Sequence, residues 1–222
     1  MHRQSWKEDT ALNKLVKTKD LYASQPEYLV DLFESSEYPW EMLPKIKDYI
    51  KALIEKGIPG YTKLSDDVLI GENVKIYPTA TIEGPTIIGS NTEVRPGAYI
   101  RGSVITGEGC VMGNSSEFKN CILLDKVQAP HYNYIGDSIL GYKAHTGAGT
   151  ICSNLKSDGK AVVIHGEEDY ETGLRKIGKT RCKGTAFLYT HQIFCTKNMF
   201  YNMYLVFFVK STWQKAVKKG IN

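Results

Sequence analysis

The 222-residue sequence has no long apolar run, no cluster of basic residues and no paired cysteines. Its most apolar stretch, residues 200–209, is about half as long as a membrane-spanning helix. The 28 basic and 24 acidic residues are mixed along the chain and leave a net charge of only +4. A nucleic-acid partner needs a concentrated basic surface, so we expect neither a membrane nor a nucleic acid as a partner.

The cysteine content argues against a secreted protein that depends on disulfides. The five cysteines are an odd number and have no paired spacing. They are Cys110, Cys121, Cys152, Cys182 and Cys195. Residues 1–6 do not open a signal peptide. We therefore expect a reducing, cytoplasmic location.

The first sixty residues have the apolar spacing of helices. Apolar residues recur there at three- and four-residue intervals, in the stretches 26–33, 38–44 and 46–54. Two glycines and a proline within residues 57–60 then interrupt the pattern. We predict a helical N-terminal segment over residues 1–62.

From residue 69 onward the apolar period changes to six, which neither a helix nor a simple alternating strand produces. The residues at this spacing are apolar, with Thr106 as the exception. They are Ile70, Ile76, Ile82, Ile88, Val94, Ile100, Thr106, Met112, Phe118 and Leu124. A small or β-branched residue lies four positions after each of the first eight of them. The pattern is typical of a coil with three short flat faces, in which successive coils stack as parallel strands.

We therefore predict a mainly β fold, a parallel β-helix over residues 63–178 with about eighteen residues per coil. An antiparallel sandwich would show a period of two and fits the sequence less well. After residue 178 the hexads stop, glycine becomes rare and aromatic residues become dense. We interpret residues 179–222 as an atypical C-terminal tail, produced by a shifted reading frame or by replacement of the last coils.

Four segments carry a resemblance to a known family. They are VRPGA (94–98), GNSSEFK (113–119), PHYNYIGDS (130–138) and GAGTICSN (147–154). In order and spacing they resemble the acetyltransferase half of the bacterial bifunctional enzyme that makes UDP-N-acetylglucosamine, and its stand-alone sugar-nucleotidyltransferase-related relatives. Hexads alone are shared by many acyltransferases, whereas the third segment followed by the fourth is far more specific.

The resemblance implies a left-handed β-helix, a homotrimer, and acetyl transfer from acetyl-CoA to the amine of glucosamine 1-phosphate without a metal. The amine must lose a proton as it adds to the thioester, and imidazole titrates near neutral pH. His131 matches the catalytic base of the family, and Ala148 is assigned to the acetyl-CoA site. The substrate-binding positions that the resemblance implies are Arg95, Glu117, Lys119, Tyr134, His145 and Asn154. Among these, Arg95 and Lys119 are expected to bind the sugar phosphate.

The coil register adds a geometric expectation for these residues. Arg95 and His131 are 36 residues apart, which is two coils of eighteen, so we predict them on one face about 10 Å apart. Lys119 is 24 residues from Arg95, one coil plus one face, and should project around a corner. A cleft between neighbouring subunits could collect all three.

Several departures from the family leave alternatives open. His145 stands where better-studied bifunctional enzymes have an asparagine, and Leu155 where they have a tyrosine. The chain lacks a glycine-rich nucleotidyltransferase loop, so uridylyl transfer is not expected from it. The family binds acetyl-CoA mainly along its last coils, so we predict that the tail impairs the donor site.

Three other functions therefore remain open. The first is a binding or oligomerising module of a separate sugar nucleotidyltransferase. The second is a UDP-sugar O-acyltransferase with a longer acyl donor. The third is a metal-dependent hydratase, which the spacing of His131, His145 and His165 fits poorly.

Overall fold

The computed structural model describes residues 17–22, 24–152, 154–156, 158–165, 169–178, 180 and 187–188. Within these residues a helical segment precedes a long parallel solenoid. The predicted tail after residue 178 lies outside the described residues, except for Thr180 and a two-residue strand. Residues 1–6, Cys182 and Cys195 also lie outside the described residues.

The helical segment is built from short elements. They are α1 (Thr18–Leu21), a 3₁₀ turn (Glu27–Leu29), α2 (Val30–Glu34), a second 3₁₀ turn (Pro39–Met42) and α3 (Ile46–Lys56). The second turn begins at Pro39, whose fixed φ suits a first helical position, and the Tyr38 N–H donates to the Glu41 carboxylate. α3 ends at Gly57, whose φ of 78° disfavours a side chain. Among the described helices, none is long and apolar enough to cross a bilayer.

The strands that follow are short. They are β1 (Thr62–Ser65), β2 (Val68–Ile70), β3 (Lys75–Ile76), β4 (Thr81–Glu83), β5 (Thr86–Ile88), β6 (Glu93–Val94), β7 (Tyr99–Arg101), β8 (Val104–Thr106), β9 (Val111–Asn114), β10 (Glu117–Leu123), β11 (Gln128–His131), β12 (Tyr134–Leu140), β13 (His145–Thr146), β14 (Ile151–Cys152), β15 (Val163–His165), β16 (Asp169–Glu171) and β17 (Phe187–Leu188).

The strands of successive coils stack in parallel into three faces. The first face holds β4, β7, the N-terminal halves of β10 and β12, and β14. The second holds β2, β5, β8 and the C-terminal halves of β10 and β12. The third holds β3, β6, β9, β11, β13 and β17. The predicted fold class, a parallel β-helix behind a helical segment, is confirmed.

The coil length is not constant along the solenoid. Ile70 pairs with Ile88, eighteen residues on, but Ile105 pairs with Ile122 and Ile122 with Ile139, seventeen residues on. The difference arises at the corner between the first and second faces. Three residues, 101–103, form this corner in one coil, and two residues, 119–120, form it in the next. The prediction of about eighteen residues is therefore one too many for the later coils.

Residues of the six-residue pattern fill the interior of the solenoid as far as Phe118, whereas Leu124, beyond the short corner, belongs to the buried cluster outside it. Val94, Ile100, Met112 and Phe118 are fully buried there, as the pattern predicts. The exception, Thr106, is also buried, and its hydroxyl accepts a hydrogen bond of 2.8 Å from the Gly89 N–H. A polar atom in this core is thus satisfied by the backbone of the coil before it.

A second core lies outside the solenoid, between its second face and the helical segment. Five stacked side chains point outward from that face and are nearly or fully buried. They are Leu69, Ile87, Ile105, Ile122 and Ile139. Trp40, Ile46 and Ile50 of the helical segment belong to the same buried cluster. Since each such aliphatic side chain contributes roughly 1.5–3 kcal/mol on burial, this contact fixes the helices to the solenoid.

An arm of residues 155–176 leaves the solenoid after Asn154. A single antiparallel bridge between Leu155 and Lys176 closes its base, and β15 and β16 form a hairpin within it. The ring of Tyr170 in this hairpin lies 5.4 Å from that of Tyr38. The arm therefore packs on the helical segment before the chain rejoins the solenoid.

Candidate functional site

The predicted base lies at the corner between the third and first faces. His131 ends β11, and Tyr132, with a φ of 50°, turns the chain toward β12. The His131 carbonyl accepts a hydrogen bond from the Gly149 N–H at 3.1 Å, and its own N–H donates to the Asn133 side chain at 3.2 Å. Asn133 is buried and also donates to the Gly147 carbonyl at 2.8 Å. The backbone of His131 is thus fixed on two sides, while its imidazole is exposed.

Three predicted substrate-binding side chains lie together on the outer side of the first face. Glu117 pairs with Tyr134, and Lys119 pairs with Gly136, on adjacent strands. Phe118 lies between Glu117 and Lys119 and is fully buried, so its two neighbours point outward. We call the outer side of the first face the site face.

A further cation on the site face was missed by the sequence analysis. Arg101 forms an ion pair with Glu117, and its guanidinium lies 6.0 Å from the centroid of the Tyr99 ring. β7 and β10 pair as far as Ile100 and Phe118, so Arg101 and Lys119 are the next residues of two strands about 4.8 Å apart. Their eighteen-residue separation, one full coil, was the signal that could have identified it.

Asn154 joins the site face through Tyr134. Its Nδ2 donates to the Tyr134 hydroxyl at 3.2 Å, and it also donates to the carboxylate of Asp137. Burial raises the pKa of the Tyr134 hydroxyl, and the hydrogen bond from Asn154 acts in the opposite direction. The structure therefore brings Glu117, Lys119, Tyr134 and Asn154 to the same face, where Asn154 is hydrogen-bonded to Tyr134.

Arg95 and His145 lie on the third face instead. Arg95 follows β6 and forms an ion pair of 3.0 Å with Glu93, and His145 Nδ1 lies 3.2 Å from the Gln128 side chain. Because Val94 stacks on Met112 and Met112 on Ala129, the register places Arg95 level with Pro130. Arg95 and His131 thus lie on the same face, as predicted, but one residue out of register, since the second of these coils is short.

Ala148 lies in the turn that stacks on the His131 corner. Its side chain is exposed, and the turn is held by the Thr150 hydroxyl, which donates to the Gly147 carbonyl at 2.8 Å. The next residue, Gly149, has a φ of 72° and bonds to His131 through the backbone. The residue predicted for acetyl-CoA therefore lies one coil beyond the predicted base.

His165, one of the three histidines considered for a metal-dependent hydratase, does not lie on the site face. His165 lies in the hairpin of the arm, where its ring pairs with Asp169 at 2.6 Å. Within the described part of the chain, no three His, Cys, Asp or Glu side chains are placed to hold a metal ion.

Gly136 supports the ring of Tyr134. A Cβ atom at Gly136 would lie 2.5 Å from the Tyr134 hydroxyl oxygen and 2.7 Å from its ring carbon Cζ. We expect Gly136→Ala to displace the ring and to weaken binding of a ligand at the site face about 5-fold, with under about 1 kcal/mol of lost stability, because the half-exposed ring can rotate outward. Calorimetry with glucosamine 1-phosphate, the ligand that the resemblance implies, and a thermal melt measure both effects. In a Tyr134→Ala background the same substitution should weaken binding no further, and an additive loss would contradict the contact.

Known proteins are similar to this chain in sequence. Residues 82–169 match the family described as the GMPPB C-terminal domain. A bifunctional protein GlmU of Methanococcus maripaludis strain S2 is 33% identical over 171 residues, 76% of this chain and 41% of that protein. A bifunctional protein GlmU of Methanococcus aeolicus is 37% identical over 147 residues, 63% of this chain and 35% of that protein.

A third relative is named for both activities. The bifunctional sugar-1-phosphate nucleotidylyltransferase/acetyltransferase of Sulfurisphaera tokodaii is 34% identical over 68 residues, 30% of this chain and 17% of that protein. The chain spans about two fifths or less of the length of these relatives. The resemblance drawn from the sequence is confirmed: this chain is a relative of the bifunctional GlmU proteins and of the GMPPB C-terminal domain.

Proposed function

We propose that this protein transfers the acetyl group of acetyl-CoA to the amine of an amino-sugar phosphate similar to glucosamine 1-phosphate, in nucleotide-sugar synthesis. The observation that carries the proposal is the site face, where two cations, Arg101 and Lys119, lie on the same face as Tyr134, which begins β12 directly after the His131 corner. A planar guanidinium and a lysine ammonium suit the oxygens of a phosphate. The names of the relatives support the same chemistry.

The proposed reaction uses His131 as the base. The amine nitrogen forms a bond to the thioester carbon, and His131 accepts the proton that the nitrogen loses. The C–S bond then breaks, and the proton passes to the departing thiolate to give free CoA. An exposed imidazole on a fixed backbone suits this role, because it needs access to the substrate and a constant position.

We further propose that the acting unit is a homotrimer in the cytoplasm. Arg95 and His145 point from the third face, so within one chain they do not share the site face with Lys119. A cleft between the third face of one subunit and the site face of the next would bring these cations to one substrate. Cys110, Cys121 and Cys152 are free thiols, which agrees with a reducing compartment.

The test of the proposed function is CoA release by the full chain from acetyl-CoA and glucosamine 1-phosphate. Release that requires both substrates is expected. If no CoA is released while calorimetry still detects binding of glucosamine 1-phosphate, the protein is a binding module of a separate nucleotidyltransferase. Failure to bind acetyl-CoA in the same calorimetry would locate the defect in the donor site, where the atypical tail is predicted to act.

The two arginines offer a matched comparison for the phosphate site. We expect Arg101→Ala to raise the KM for glucosamine 1-phosphate about 10-fold with little change in kcat, because one charge-assisted contact to the phosphate is lost. Arg95→Ala removes an arginine of similar exposure that could reach the substrate only from the third face of a neighbouring subunit, and it should have the smaller effect. Steady-state kinetics of both variants decide between them. A larger effect from Arg95→Ala would place the phosphate on the third face.

A further inference from the structure

Asp137 lies beneath the site face, at the corner between the first and second faces. It is 6% exposed and has a φ of 45°, so its side chain is held against the solenoid. The same corner carries Asn120 one coil earlier and Asn154 one coil later, each seventeen residues away. Asn120 Nδ2 donates to Asp137 Oδ1 at 2.7 Å, and Asn154 Nδ2 donates to Asp137 Oδ2. A buried carboxylate thus accepts from an amide on either side.

The carboxylate fixes which end of the Asn154 amide faces it. An ionised carboxylate can only accept hydrogen bonds, so the NH₂ group of Asn154 must point toward Asp137. That NH₂ group has two hydrogens, and the second is directed at the Tyr134 hydroxyl, 3.2 Å away. The hydroxyl oxygen of Tyr134 is therefore an acceptor toward Asn154.

The direction of the hydrogen bonds from Asp137 through Asn154 to Tyr134 determines whether the Tyr134 hydroxyl can donate to a ligand. With its oxygen accepting from Asn154, the Tyr134 O–H is left to donate elsewhere, and no acceptor for it is found among the described residues. Tyr134 is partly exposed on the site face beside Glu117. If the Asn154 amide turned over, its carbonyl oxygen would face Tyr134 and draw the hydroxyl hydrogen inward.

We propose that Asp137 is a positioning residue that orients the Asn154 amide so that the Tyr134 O–H donates to an acceptor oxygen of the bound sugar phosphate. This inference rests on the proposed function for the identity of the ligand. Asp137 touches no substrate; it acts through Asn154 on Tyr134. The backbone supports the arrangement, because the Asp137 carbonyl accepts from the Gly178 N–H at 2.7 Å, where the chain returns from the arm.

The first test is kinetic. Asp137→Asn replaces one carboxylate oxygen by an NH₂ group and lets the Asn154 amide turn over, so we expect the KM for glucosamine 1-phosphate to rise about 10-fold with kcat within about 3-fold. Asn120→Ala removes the other amide from the same carboxylate and should leave KM within about 3-fold of the unmodified protein. Equal increases in both variants would mean that the corner is only a structural support, and would overturn the proposal.

A double substitution separates positioning from stability. Asn154→Ala alone should raise KM as much as Asp137→Asn, and the two together should raise it no further. Independent, multiplied increases would show that Asp137 does not act through Asn154. If Asp137→Asn does not fold, an unchanged KM in Asn154→Ala would still overturn the proposal, because it would remove Asn154 and therefore Asp137 from substrate binding.

A spectroscopic readout does not depend on the enzymatic activity. The pKa of Tyr134 is lowered by its bond to Asn154 and raised by the nearby charge of Asp137, with the bond the larger of these two effects. If Asp137→Asn releases Asn154, the pKa of Tyr134 should rise; if Asn154 stays in place, only the charge is lost and the pKa should fall. A pH titration of tyrosinate absorbance, with Tyr134→Phe to identify the signal, gives the sign. A fall would overturn the proposal even in a protein that shows no acetyl transfer.

Discussion

His131→Ala is expected to lower kcat for acetyl transfer about 100-fold or more, with the KM for glucosamine 1-phosphate nearly unchanged. General bases contribute typically 10²–10⁴-fold to a rate, and His131 is the group to which the proposed reaction assigns the amine proton. The ring is exposed, and the hydrogen bonds that fix this residue involve its backbone, which alanine retains. The loss should therefore appear in the chemical step and not in folding, since exposed substitutions usually change stability by under about 0.5 kcal/mol.

The matched control is His165→Ala. His165 is also exposed, but it lies in the hairpin of the arm and pairs there with Asp169. CoA release should be unaffected by this substitution, and melting temperatures should be alike in the two variants. Added imidazole should restore part of the rate in His131→Ala by entering the vacated space. A kcat within about 3-fold of the unmodified protein would show that another group is the base.

The six-residue pattern alone was enough to predict the solenoid and its interior. Val94, Ile100, Met112 and Phe118 occupy the buried positions that the period assigns, because a coil with three flat faces needs one inward side chain on each face. The pattern constrains the interior strongly, since every misplaced polar residue there would need a partner. It constrains the corners weakly, and the shortened corner at residues 119–120 left the sequence pattern almost intact.

The one residue by which this coil is shorter changes the register of Arg95 from the predicted one. The predicted register of Arg95 with His131 assumed equal coils, and the short coil shifts it by one position. On the site face Arg101 and Lys119 directly follow the paired residues Ile100 and Phe118, a coil of eighteen that the same counting would have found. The choice between the two arginines depended on motif resemblance, and only the strand register shows which one neighbours Lys119.

The sequence gives a weaker indication that the outer side of the second face is covered by the helical segment. In several apolar doublets, one residue points into the coil and the other points outward. Examples are Ile87–Ile88, Val104–Ile105 and Ile122–Leu123. A strand that is apolar on both sides predicts a covering layer. The helical segment was predicted, but its position against this face was not, because apolar spacing gives the buried side of a helix and not its partner.

Gly113→Ala is expected to destabilise the protein by about 3 kcal/mol, at the upper end of the range for overpacked interiors. Gly113 lies in β9, directly beside Pro130 of β11 in the next coil. A Cβ atom there would lie 1.9 Å from the carbonyl carbon and 2.0 Å from the carbonyl oxygen of Pro130. These are backbone atoms, so no side-chain rotation can relieve the contact and the two coils must separate. Because His131 follows Pro130, acetyl transfer should fall as well.

Gly57→Ala is the control that isolates this contact. Gly57 has a φ of 78° and a ψ of 152° but no atom within 4 Å of a Cβ, so alanine there incurs only the strain of a backbone conformation that favours glycine, about 1–3 kcal/mol. Thermal melts of both variants should show the larger drop for Gly113→Ala, because melting temperature falls roughly in proportion to lost stability. Equal drops would mean that the third face is packed less tightly at Pro130 than the structure has it. The His131 corner would then lose the rigid support on which the assignment of that histidine as a base depends.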